Sequence, residues 1–230
     1  MRNPGKIEVK MAAQATSSRN LGLDVTRTIA ISLVIFIHAI GFSIDGYSIP
    51  IMGIGGFIRI YLRRICFSCV PLFLMLSGFL NSRKADPVKV WTKSFPHIGL
   101  SYLFWGILIV LYSVLCLGEV FSLNSILSVF TYALPRAWYI NMYMGLLILM
   151  PFINKCWGNS DKKEKRLLLT ALFLISIVSK YISSISMNRF SSTPLMLISS
   201  YFFNSFYVFY YLAGAYIHDY PVHIKKSRII

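Results

Sequence analysis

Long apolar runs alternate with short basic ones along the chain. Thr28–Ile44 carries no Asp, Glu, Lys or Arg, and neither do Ile65–Ser82, Ser94–Gly118, Val120–Pro135, Ala137–Asn154, Leu167–Ser179 or Phe190–Ile217. A helix that crosses a bilayer needs about 20 mostly apolar residues. Spanning segments are helical because hydrocarbon offers no partner to a free backbone N–H or C=O. The runs predict six helices, over 26–44, 65–82, 97–117, 136–154, 166–185 and 195–217. The fifth is short unless Lys180 snorkels to the interface and lengthens it. Val120–Pro135 is left between two readings, a re-entrant or an interfacial piece, with Pro135 ending it. The fold class is therefore all-α: a polytopic transmembrane helix bundle of about six helices. One membrane domain covers 21–218, between a loose N-terminal tail over 1–20 and a short basic tail over 219–230.

Composition agrees. Of 230 residues, 56% are hydrophobic and 13% charged, against about 25% charged in a soluble domain; the mean hydropathy is +0.64. The formal net charge of +15 would suit nucleic acid, but its distribution does not. Place the N-terminus in the cytoplasm. The cytoplasmic segments then hold Arg2, Lys6, Lys10, Arg19 and Arg27; Arg83, Lys84, Lys89 and Lys93; Lys155, Lys162, Lys163, Lys165 and Arg166; and Lys225, Lys226 and Arg228. These are 17 of the 23 Lys and Arg. This is the positive-inside pattern. It assigns the basic charge to topology, puts both termini in the cytoplasm, and makes membrane lipids, not nucleic acid, the partner.

Arg59, Arg63 and Arg64 stand against that pattern, just before the second helix. They read either as an amphipathic interfacial turn touching headgroups or as a cationic wall for an anionic ligand. Cys66 and Cys69 form CxxC inside an apolar helix, with no second pair and no nearby His, so no metal site and no disulfide framework is implied. The leader before helix 1 is long and no convincing cleavage site follows Ile44, so helix 1 is expected to stay as an anchor.

Helix 1 carries the candidate chemistry. In "LDVTRTIAISLVIFIHAI", Leu23–Ile40, Arg27 and His38 are eleven residues apart. That is about three turns plus 20°, with a rise of about 16 Å. Arg27, Ile31, Val34 and His38 then share a face, and Asp24 can pair with Arg27 at i,i+3. Ionisable residues inside a membrane usually face the protein interior or a wet cavity. Desolvation there favours neutral imidazole, which keeps the free ring nitrogen a general base needs. The residues alone leave two readings open for His38: a packed histidine with one local hydrogen bond, or a group used in chemistry or transport.

The same string resembles the first helix of the acyltransferase-3 family of integral membrane proteins, an acidic residue followed by R-x10-H; Asp24, Arg27 and His38 match it. "VPLFLMLSGFL", Val70–Leu80, resembles that family's second helix, where the small Ser77 and Gly78 let another backbone approach. "RAWYINMYMGLLILMPFINK", Arg136–Lys155, resembles its WY-x-x-x-Y-x-G-L-x-L-x-P block, and "WYINMYMGLLILMPFIN" is closest to members that acetylate surface polysaccharides. Members commonly carry an R-x-x-R pair before helix 3. Here that stretch reads "VKVWTKSFPHIGLSY", with Lys89, Lys93 and His97 as its basic residues, which weakens a donor-gripping role for the segment. "YYLAGAYI" resembles a sixth helix of a family that has about ten, so the chain is expected to be shortened at its C-terminus.

The resemblance implies an O-acyltransferase of the bacterial inner membrane. The acyl group, acetyl as the expected one, would pass from cytoplasmic acyl-CoA to a hydroxyl of a cell-surface glycan or lipid-linked sugar. Acetyl-CoA would be a substrate, with no bound cofactor and no metal. His38 would be the general base or a transient acyl carrier. Arg27 would bind CoA phosphates or orient the thioester carbonyl, and Asp24 would hold Arg27. Arg63, Arg64 and Lys93 remain candidates for donor or acceptor binding. Two rival readings are a polysaccharide-export or transport component and an inactive fragment of an acyltransferase.

Overall fold

The computed structural model describes residues 20–45, 53–118, 122–123, 138–189 and 199–221. Every element among them is helical. Four stretches are long and apolar enough to cross a membrane: Leu21–Ile40, Ile54–Asn81, Pro87–Cys116 and Lys162–Ile185. The chain divides into two compact units, Met1–Phe73 and Leu74–Ile230.

In the first unit, helix α1 (Leu21–Asp45) begins where the Asn20 side chain accepts from the backbone N–H of Gly22, the usual way an Asn satisfies a helix's first free donors. It packs against helix α2 (Ile54–Cys66). The residue before α2 is Gly53, at φ 101°, a left-handed conformation that a side chain disfavours. Helix α2 corrects the sequence reading, which had a turn there and began the second helix only at 65. Ile54, Phe57, Ile58, Tyr61, Leu62 and Ile65 recur at helical spacing, while counting charge-free runs stops at Arg64. Pro71 explains why α2 does not run straight into helix α3 (Cys69–Asn81). It has no N–H to give the carbonyl four residues back. The chain turns there instead, and the hydroxyl of Ser68 donates to the Ile65 carbonyl at 2.7 Å.

The second unit holds α3 from Leu74 onward and helices α4 (Pro87–Cys116), α5 (Trp138–Asn159), α6 (Lys162–Leu172), α7 (Ser179–Arg189) and α8 (Phe206–Asp219). A π-helical turn, Phe173–Val178, joins α6 to α7, and a 3-10 turn, Ser200–Ser205, leads into α8. Helix α4 starts ten residues before the predicted position, because Asp86 caps it through the Lys89 N–H and Pro87 opens its first turn. Helix α6 likewise starts early. Asp161 and Glu164 form a reciprocal capping box, so the polar "KKEKR" is helical although it is not apolar. The ambiguous stretch Val120–Pro135 lies outside the described residues except for Ser122 and Leu123, as do most of the two tails.

The core of this unit is Leu74, Leu146, Leu147, Met150, Tyr211, Leu212 and Ala215, all buried. Helices α3 and α8 meet backbone to backbone, with Gly78 against the Tyr211 carbonyl and Gly214 against the Met75 carbonyl. This close approach is what the small pair Ser77–Gly78 foretold. The outward faces are apolar. Trp105 is 63% exposed and Leu115 78%, an arrangement that lipid tolerates and water does not.

Candidate active site

An open cavity of about 260 Å³ lies in the second unit, between the end of α3, the first turns of α4 and the middle of α5. Its construction follows from local rules. The Asp86 cap sets the register of α4, so Val90, Lys93, Ser94, His97 and Ile98 fall on one stripe at i, i+3, i+4, i+7 and i+8. Helix α5 packs on α4. The Trp91 indole N–H donates to the Ile148 carbonyl at 3.3 Å and its ring lies 6.1 Å from that of Phe152. Tyr143, Leu147 and Met150 close the α5 side; Asn81 and Lys84 close the α3 side.

The cavity is polar at one wall. The Ser77 and Tyr143 hydroxyls share a hydrogen bond of 2.7 Å, and the Asn81 amide donates to the Ser77 hydroxyl at 3.3 Å. Two lysines, Lys84 and Lys93, and the His97 imidazole line the same space. Ammonium groups beside neutral donors are what a phosphate or carboxylate needs, since a charge-assisted hydrogen bond is roughly twice as strong as a neutral one. Lys89 is spent elsewhere: it pairs with Asp86 at 3.3 Å. Asp86 in turn is held below the usual carboxylate range, chiefly by the Lys89 backbone N–H.

The helix 1 residues belong to the first unit. Asp24 and Arg27 are paired, with 3.1 Å between Oδ1 and Nη1, and Arg27 keeps 47% of its side chain exposed. His38 is exposed on the same helix. Arg63 and Arg64 both lie in the last turn of α2, Arg63 half-buried and Arg64 exposed. So the structure pairs Asp24 with Arg27, groups Lys93 with Lys84 and His97, and leaves Arg63 and Arg64 on a separate helix from either set.

Sequence reasoning missed Lys84, Asn81 and Tyr143 as cavity residues. Lys84 counted only as topological charge. Tyr143 is the last aromatic of the WY-x-x-x-Y block and Asn81 directly follows "SGFL", so both signals were present but pointed to packing. It also missed a polar cluster at the end of α8. Asp219 accepts from the Lys165 ammonium at 2.8 Å and from the Trp157 indole at 3.0 Å, and the His218 ring lies 3.4 Å from its other oxygen. The Lys165 ammonium also lies 5.0 Å from the centre of the Trp157 ring. Burial alone would raise the Asp219 carboxyl, but the hydrogen bonds from Lys165, His218 and Trp157 outweigh it and hold the group below its ordinary value. This cluster ties α5, α6 and α8 together.

The family described as "acyltransferase domain" matches residues 20–230. No curated protein and no solved structure matches the chain.

Proposed function

The chain belongs to the acyltransferase-3 family over residues 20–230, and from that premise we propose that it transfers an acyl group, acetyl first among candidates, from acyl-CoA to a sugar hydroxyl of a surface or lipid-linked glycan. Membership and the apolar helices make it a membrane acyltransferase. The donor and acceptor are the finer reading. The observation that carries it is the cavity lined by Lys84, Lys93 and His97, whose chemistry suits the phosphate groups of a CoA thioester.

In this reading Lys84 and Lys93 of the second unit bind donor phosphate; the role of His38 rests separately on the family pattern of helix 1, by which it removes the proton from the acceptor hydroxyl. The new C–O bond forms as the oxygen attacks the thioester carbonyl. The tetrahedral intermediate then collapses, breaks the C–S bond and releases CoA as thiolate, which takes the proton back from the imidazolium. Arg27, oriented by Asp24 at 3.1 Å, lies about 16 Å along the helix from His38, too far to reach the same carbonyl, and is read instead as a binder of CoA phosphate. Lys84 and Lys93 then mark the cytoplasmic side, where acyl-CoA is available. The same reading has both termini in the cytoplasm and the protein in a bacterial inner membrane, in keeping with the positive-inside pattern of its loops.

Proteoliposomes given acetyl-CoA with a radiolabelled acetyl group and an envelope glycan extract test this. Base-labile label on the glycan, matched by free CoA thiol, supports the proposal. Thiol release without glycan label would reduce it to a thioesterase, and no reaction with any acyl-CoA would sink it.

A further inference from the structure

Lys84 can serve the cavity only if its backbone is held in place, and it sits in a short connection between α3 and α4, where the Lys84 N–H bonds back to the Asn81 carbonyl at 2.9 Å. Two buried side chains hold that connection. Asn154 on α5, 2% exposed, gives both amide hydrogens away: one to the Asn81 carbonyl at 2.7 Å and one to the Lys84 carbonyl at 2.9 Å. Tyr211 on α8, fully buried, donates its hydroxyl to the Asn154 Oδ1 at 2.9 Å. The orientation of the amide is therefore forced. Reversed, it would set its oxygen against two carbonyl oxygens and its NH2 against a hydroxyl that already fits as a donor.

We propose that Asn154 and Tyr211 are positioning residues for the donor site, a relay in which the Tyr211 hydroxyl fixes the Asn154 amide, and the amide clamps the Asn81–Lys84 connection so that Lys84 meets the donor anion. The inference rests on the anionic-donor reading of the cavity. Neither residue lines the cavity, so neither touches the ligand; they act through the Asn81–Lys84 connection, whose charged end is Lys84. The clamp spans three helices of the second unit, which explains why a residue on α8 governs a lysine far from it in sequence. Leaving a buried acceptor unsatisfied destabilises the arrangement it belonged to, and here the softest part of that arrangement is the connection itself.

The test is a binding cycle on the full chain in detergent, with adenosine 3′,5′-bisphosphate as the probe. Tyr211→Phe removes one hydroxyl and keeps the ring, so the core stays filled. It should weaken binding about fivefold, the effect of one lost hydrogen bond. In a Lys84→Ala background the same change should lose most of its effect, whereas in a Lys93→Ala background it should keep its full effect. Such a difference separates positioning from general loosening, which would act equally in both backgrounds. Asn154→Asp, which puts a carboxylate oxygen against the two carbonyls, should follow the same pattern more strongly. If Tyr211→Phe lowers thermal stability but leaves probe affinity unchanged, or weakens it equally in both backgrounds, the positioning claim fails while the donor reading stands. If the wild-type chain does not bind the probe, or binds it without any help from Lys84 and Lys93, the donor reading fails and takes the relay with it.

Discussion

Gly78 of α3 lies directly against the backbone carbonyl of Tyr211 on α8, so close that a methyl group at residue 78 would overlap it. Gly214 repeats the relationship one turn further along α8, against Met75. The obstructing atoms are backbone, which cannot swing aside as a side chain end could. Two glycines thus let α3 and α8 cross at contact distance, and the crossing sets where Tyr211 and, through it, Asn154 stand. Membrane helices have no hydrophobic force to drive them together, so close backbone packing of this kind supplies much of their association.

Gly78→Ala should therefore destabilise the second unit by about 1–3 kcal/mol or more, the usual range for overpacking a tight core. A thermal melt in detergent, followed by tryptophan fluorescence, reads it directly. Gly145→Ala is the control, since nothing lies near its added carbon. Equal melting points for the two variants would show that the α3–α8 crossing is looser than described.

The Asp219 cluster gives stability a dependence on acid. Its carboxyl is held below the ordinary value in the fold, so the folded state binds a proton less readily than the unfolded chain. The contribution is fully present above the unfolded carboxylate value of about 4 and is lost as pH falls through the lower folded value. Unfolding midpoints measured downward from pH 6 should drop below about pH 4, and Asp219→Asn should flatten that drop while lowering stability at neutral pH. A wild-type profile unchanged between pH 6 and pH 3 would mean the cluster adds nothing.

His38→Ala should reduce acyl transfer by about 10²–10⁴-fold, the usual contribution of a general base, with membrane insertion and protein level unchanged. Full transfer by the variant would return His38 to the reading in which it merely packs or hydrogen-bonds on helix α1.

Arg27→Lys separates charge from geometry. Lysine preserves the positive-inside signal but loses the planar fork that pairs with Asp24 and grips a phosphate. If Arg27 binds donor phosphate, the acetyl-CoA requirement for transfer should rise about tenfold or more, on the scale of one charge-assisted hydrogen bond. A topological role leaves that requirement as it was. Orientation is checked in the same membranes by protease access to the Asp161 turn.

The local features were legible in the chain because they are set by neighbours in sequence. Apolar runs of spanning length foretold the helical membrane class. The i,i+3 spacing foretold the Asp24–Arg27 pair, and the small residues at 77 and 78 foretold a close helix crossing. Helix starts were misread where charge lies inside a helix. Caps such as Asp86 and Asp161 start α4 and α6 within polar sequence, and a count of charge-free residues cannot see that. Of the cavity, the sequence reading named Lys93 alone as a candidate for binding, and the clamp was not legible. Asn154 reaches carbonyls 73 and 70 positions away, Tyr211 reaches Asn154 across 57, and Lys165 finds Asp219 across 54. Periodicity assigns a residue to a face of its own helix, but which faces meet depends on where helices cross. In this protein that is decided by two glycines on α3 and α8 and by the packing of α5 on α4. The sequence by itself determined the helical membrane class and the spacing of Arg27 and His38 on one helix. Only the tertiary structure decided that Lys84, Lys93 and His97 line one cavity, because no local rule brings a helix end and two distant helices to the same place.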